Sequence, residues 1–201
     1  MKVLGIVGGT GAGKTTALRE LEALNAAVLD CDAIYHQLLC TSVPLQEALT
    51  ARFGPVSGPE GIDRKKLGEI VFHDPQALAD LNGITFDFIV REVRRQVREA
   101  ERAGRAGAAI DAVALLESEL REDCDKIIAI CAPAEVRVRR IMAREGISED
   151  YARARVAAQK DEAWYRARCD YVLVNDGSRE AFQAEARELF RRLLGGRFTD
   201  G

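Results

Sequence analysis

Val3-Leu4-Gly5-Ile6-Val7 leads straight into Gly8-Gly9-Thr10-Gly11-Ala12-Gly13-Lys14-Thr15-Thr16, and a helical pattern follows. This order, an apolar β-rich run, a glycine-rich turn ending in Lys-Thr and then a helix, is the strongest constraint on the fold. Glycines let the backbone turn tightly and aim successive N–H groups inward, which makes a nest for a polyphosphate. The helix that starts there turns its unpaired N–H groups and positive dipole end toward the same anion. Lys14 can reach the terminal phosphates and the Thr15 hydroxyl can ligate Mg²⁺. The stretch therefore implies binding of a nucleoside triphosphate through Gly11, Ala12, Gly13, Lys14, Thr15 and Thr16.

Elsewhere, short apolar runs alternate with helical patterns. Strands are expected at Val3–Val7, Ala26–Leu29, Ala108–Val113, Lys126–Cys131 and Tyr171–Val174. Helices are expected at Lys14–Leu24, from Ile34, through Asp63–Arg105, and at Ala134–Glu145, Ser148–Lys160 and Ser178–Leu194. Arg52–Gly61, with its glycines and prolines, reads as a loop. Five strands separated by helices imply an α/β fold, a three-layer core around a five-stranded parallel sheet. At 201 residues the chain is expected to be one domain, 1–201. Two helical stretches lack interleaved strands. They read as a substrate-holding insertion at 63–105 and an Arg-rich lid at 134–168.

The net charge of −3 gives no overall attraction for nucleic acid or an anionic membrane. No apolar run approaches the ~18 residues needed to span a bilayer, and no leader-like segment precedes the first strand. The five cysteines include no Cys-x-x-Cys pair. The expectation is a cytoplasmic protein, monomer favoured, with a small-molecule substrate.

Ligands of such sheets sit at the carboxyl ends of strands, so the residues there carry the chemistry. Asp30-Cys31-Asp32 follows the second strand. If the segment is extended, both carboxylates point the same way, able to take a proton from an attacking hydroxyl or to hold a metal; a turn or helix N-cap is the alternative. Asp111 ends a further apolar run and is a candidate for the loop-bound Mg²⁺. Arg137, Arg140 and Arg144 share one helical face, and Arg155, Arg166 and Arg168 follow. One or two of these are expected to act on the phosphates and the rest to be surface. His36, four residues after Asp32, can orient that carboxylate. Trp164 and Tyr165 read as packing residues of the lid.

Taken in order, these segments resemble one family, the dephospho-coenzyme A kinases. The likeness runs through Gly8–Thr16, Asp30-Cys31-Asp32 with His36, Ile62-Asp63-Arg64-x-x-Leu67-Gly68-x-Ile70-Val71-Phe72 and Leu81-Asn82-x-Ile84-Thr85. It continues through Asp111–Ser118, Arg140-x-x-x-Arg144, Arg155-x-x-x-Gln159 and Asp170-Tyr171-Val172-x-x-Asn175-x-Gly177. The resemblance implies a phosphate-loop kinase fold and MgATP-dependent phosphorylation of the ribose 3′-hydroxyl of dephospho-coenzyme A. By the same resemblance Asp32 is the general base, Lys14 stabilises the transferring phosphoryl group and Arg140 is a lid arginine near the phosphates. Thr15 ligates Mg²⁺, Asn175 lies near the ATP adenine, and Asp32, Arg64, Leu116 and Glu117 meet the acceptor.

The chain departs from that pattern in three places. Phe86-Asp87 stands where the family usually shows His-Pro. Ala114-Leu115-Leu116-Glu117 replaces the common Pro-Leu-Leu-Phe-Glu, and Cys31 replaces the usual Ala. A related kinase with another small acceptor, and a non-catalytic nucleotide-binding regulator, are the alternative readings.

Overall fold

A computed structural model describes residues 1–195. The chain divides into two compact units, one built from Met1–Leu29 and the segment from Glu99 onward, the other from Asp30–Arg98.

The first unit carries a five-stranded sheet of β1 (Lys2–Gly8), β2 (Ala26–Asp30), β5 (Gly107–Asp111), β6 (Lys126–Cys131) and β7 (Tyr171–Val174), in the order β2-β5-β1-β6-β7. The β1–β5, β1–β6 and β6–β7 pairings are parallel. The central strands are buried nearly end to end, which is why they read as unbroken apolar runs rather than alternating ones. Register places Asp111 opposite Ile6 and Gly8 opposite Ile130, so the end of β5 and the exit of β1 lie at one sheet edge. Helices α1 (Lys14–Ala23) and α9 (Arg179–Leu193) contribute Ala17, Leu21, Phe182 and Phe190 to a core with Leu4, Ile6, Ile128 and Ile130. Glu20 lies buried between the two helices, where it accepts from Gln183 Nε2 and Arg187 Nε. A satellite cluster of Val138, Ile141, Ala152 and Val156 joins α6 (Ala134–Glu145) to α7 (Glu149–Ala157), and the short α8 (Glu162–Arg166) follows.

The second unit is helical: α2 (Cys31–Thr41), α3 (Val43–Phe53), α4 (Arg64–Phe72) and α5 (Pro75–Arg102), which continues past Arg98. A small antiparallel hairpin of β3 (Ser57–Gly58) and β4 (Gly61–Ile62) lies between α3 and α4. Leu39, Leu45, Leu49, Val56, Ile62, Leu67, Val71 and Leu81 form its core. Each helix start carries a side-chain cap: Asp30 for α2, Ser42 for α3, Asp63 for α4 and Asp74 for α5.

Several boundaries differ from the sequence expectation. Helix α3 takes Arg52 and Phe53 out of the expected loop, and the hairpin orders its second half. Val113 lies outside β5, because the strand ends at Asp111. The expected 148–160 helix stops at Ala157, and Asp161 caps a separate short helix by accepting from Trp164 N. The most consequential change is at Asp30-Cys31-Asp32. The segment is not extended through Asp32: α2 begins at Cys31, and the Asp30 carboxylate accepts from the backbone N–H groups of Asp32 and Ala33. The Asp30 carboxylate is therefore taken up by capping, and that of Asp32 is left exposed.

Candidate nucleotide and acceptor site

In the first unit, β1 hands over to α1 through a loop closed by Ala12 N donating to Gly9 O at 3.1 Å. Gly13 caps α1 with φ 105°, and a Cβ there would also run into the Asn175 amide. Glycine is thus required both by the left-handed backbone and by the close neighbour. The first turn of α1 holds no acidic residue, which leaves the positive helix end facing outward as an anion site.

Lys14 Nζ donates to Asp111 Oδ1 at 2.5 Å, and neither side chain is more than a quarter exposed. The loop lysine and the candidate metal carboxylate are therefore partners. Thr15 lies exposed one residue into α1. A hydroxyl and a carboxylate are hard oxygen donors of the kind Mg²⁺ takes, so these residues fit the ion.

Of the arginines expected on the lid, the structure brings two to the loop. Arg137, only 8% exposed, donates from Nε to Thr10 O at 2.9 Å and from Nη2 to Gln159 Oε1. Burial pushes its pKa down from the usual arginine value. Arg140 donates to Asn175 Oδ1 at 3.0 Å and approaches Gly11 O at 3.4 Å. Buried Asn175 in turn donates to Ala12 O at 2.9 Å, so it engages the back of the loop. The others are engaged elsewhere: Arg144 and Arg155 pair with Glu145, Arg166 with Glu162, and Arg168 lies over the Trp164 ring at 4.5 Å. Gln159 escaped the residue-level reading. Its only signal was its place in Arg155-x-x-x-Gln159.

Beside the loop is a cleft of about 230 Å³ lined by Gly8, Gly9, Leu116, Glu117, Lys160 and Trp164, among others. Leu116 and Glu117 reach it because the chain after β5 folds into a 3-10 turn at Leu115–Glu117 anchored by fully buried Leu115. Trp164 packs edge-on against Tyr165 at 5.2 Å and also carries Lys160 against its ring. Trp164 thus lines the cleft wall while packing on its neighbours.

In the second unit, Asp32 and Arg64 stand exposed on the first turns of α2 and α4. Cys31 is buried. The His36 ring lies tilted against the Tyr35 ring, centroids 5.5 Å apart. The Tyr35 hydroxyl is pushed up by burial, which the Arg64 charge partly opposes.

A strand–loop–helix with Lys14 and Thr15 at its turn, set at the carboxyl edge of a parallel sheet, defines a phosphate-loop nucleotide-binding fold. Shikimate kinase from Bacteroides thetaiotaomicron has the same fold (TM-score 0.53, 16% identity, 96% of this chain and 98% of that one). TT1252 from Thermus thermophilus is more similar, with TM-score 0.75 and 29% identity over 96% of this chain and 97% of that one. The family model for dephospho-CoA kinase matches residues 2–181. Dephospho-CoA kinase of Symbiobacterium thermophilum is 35% identical over 198 residues, covering 98% of this chain and 83% of the relative. That of Corynebacterium diphtheriae is 34% identical over 195 residues, covering 96% and 98%. The chain belongs to the dephospho-CoA kinase family, and it is an ATP-dependent kinase acting on a small molecule.

Proposed function

We propose that the chain transfers the γ-phosphoryl group of ATP to the ribose 3′-hydroxyl of dephospho-CoA, the last step in making coenzyme A. The family match over residues 2–181 with Lys14, Thr15 and Asp32 all in place carries this reading. The acceptor oxygen attacks the γ-phosphorus, its proton passes to the Asp32 carboxylate, and the bond to the ADP oxygen breaks. Capping by Asp30 supports this role for Asp32, because it fixes the first turn of α2 and leaves the second carboxylate exposed.

Gly11 to Thr16 cradle the phosphates with backbone N–H groups. Lys14 exchanges Asp111 for the transferring phosphoryl group, and Arg140 offsets charge on the phosphate oxygens from above Gly11. Asn175 serves the ATP site by holding Ala12 and Arg140. Thr15 and Asp111 would hold Mg²⁺, which would supply positive charge against that developing on the transferring phosphoryl group. Arg64, Leu116 and Glu117 meet the acceptor. Five free cysteines suit a reducing cytoplasm.

Phe86-Asp87 lies where acceptor recognition is expected, so a different small acceptor is the second reading. ADP release from MgATP, measured with and without dephospho-CoA and against a nucleoside panel, separates the two. Release only with dephospho-CoA is expected. Release only with another acceptor selects the second reading.

A further inference from the structure

Thr10, at the tip of the phosphate loop, has every polar group engaged by two residues from distant parts of the chain. Its N–H donates to Gln159 Oε1 at 2.9 Å, and its hydroxyl accepts from Gln159 Nε2 at 3.0 Å. Its carbonyl accepts from Arg137 Nε at 2.9 Å, and Arg137 also donates to Gln159 Oε1. Arg137 lies on α6 and Gln159 lies just beyond α7, two helices packed together through Val138, Ile141, Ala152 and Val156. The fit is tight. A Cβ on Gly9 would meet Gln159 Oε1 at 2.7 Å and the Arg137 guanidinium carbon at 2.8 Å.

The chemistry of the clamp is as informative as its shape. A nearly buried guanidinium normally faces a carboxylate. Among the described residues, the hydrogen-bond partners of Arg137 are a carbonyl and an amide oxygen, both neutral. Its charge is thus held, desolvated and paired with no carboxylate of those residues, beside a loop built for a polyanion.

We propose that Arg137 and Gln159 are positioning residues of the ATP site: they fix Thr10 so that the loop's remaining N–H groups face the phosphates, and Gln159 is neutral so that the Arg137 charge is left for the triphosphate. The inference rests on the nucleotide-binding part of the proposed function and not on the identity of the acceptor.

Gln159→Glu tests it, because a carboxylate keeps the acceptor for Arg137 and Thr10 while cancelling the charge. Purified full-length protein is titrated with MgATP alone by calorimetry, and thermal midpoints are recorded alongside. The expected result is a thermal midpoint equal to or above that of the parent chain together with MgATP affinity weakened about 10-fold or more. Gln159→Met, which removes the clamp and not the charge, is expected to lower both midpoint and affinity. A Gln159→Glu protein that binds MgATP within two-fold of the parent overturns the proposal, whether or not Gln159→Met folds. Since no acceptor is present, failure of the acceptor reading appears separately, as intact MgATP binding without turnover on dephospho-CoA.

Discussion

The sheet-bearing unit and the 30–98 unit hold their chemical groups in different ways. At the phosphate loop, functional side chains are locked by other side chains from far along the sequence: Lys14 by Asp111, Arg140 by Asn175, Thr10 by Gln159. In the helical unit, Asp32 and Arg64 stand exposed, and local backbone capping places them. Asp30 fixes the turn that carries Asp32, and Asp63 fixes the turn that begins with Arg64. On the proposed function, the nucleotide-binding residues are therefore preorganised, whereas the proposed acceptor-side residues Asp32 and Arg64 are held only by their own helix turns. A polyanion that must be gripped in one geometry benefits from fixed dipoles, whereas a base has to meet a hydroxyl that arrives with its own substrate.

The largest expected effect tests the acceptor side alone. Asp32→Asn should lower kcat about 10²–10⁴-fold while MgATP affinity, read by titration, stays near that of the parent chain. A parallel loss of affinity would break the separation between the two sides. Lys14→Met tests the other side and should lower kcat/KM about 10²–10³-fold. Its thermal midpoint should fall as well, since the mostly buried Asp111 carboxylate loses the Lys14 ammonium.

Smaller effects sharpen the contrast between locking and capping. Asp30→Ala and Asp63→Ala should each cost about 1 kcal/mol of stability, or a thermal midpoint lower by about 2–4 °C. Asp30→Ala should also lower kcat through Asp32, and Asp63→Ala should raise the acceptor KM through Arg64. Steady-state kinetics beside thermal melts checks both.

The smallest effect lies in the sheet unit at high pH. Burial raises the Cys131 and Cys169 thiols from 9.0 to about 11. Between those values the unfolded chain has lost protons that the folded chain keeps, so stability falls as pH rises from about 9 to about 11. Thermal melts across that window should show the fall, and it should be shallower in Cys169→Ala.

What could be read from the sequence follows how local the cause is. The phosphate loop, β6, β7 and α6 fall on the residues expected, because glycine spacing, unbroken apolar runs and helical periodicity are short-range signals. The sequence leaves Asp30 open between a strand end and an N-cap, because both positions favour the same residue, and only the backbone at Cys31 decides between them. Arg137, Arg140 and Arg144 share one stripe, yet Arg137 is buried, Arg140 meets Asn175 and Arg144 pairs with its neighbour Glu145. Periodicity cannot rank them, since the ranking depends on how α6 lies against the loop. The Thr10–Gln159 contact spans 149 residues, and no local pattern announces it.

The most direct measurement is the identity of the product, followed by phosphorus NMR while the chain turns over MgATP and dephospho-CoA. One ribose 3′-phosphomonoester formed for each ADP is the predicted result. ADP appearing with inorganic phosphate, or with phosphate at any other position, would contradict the assignment of the reaction.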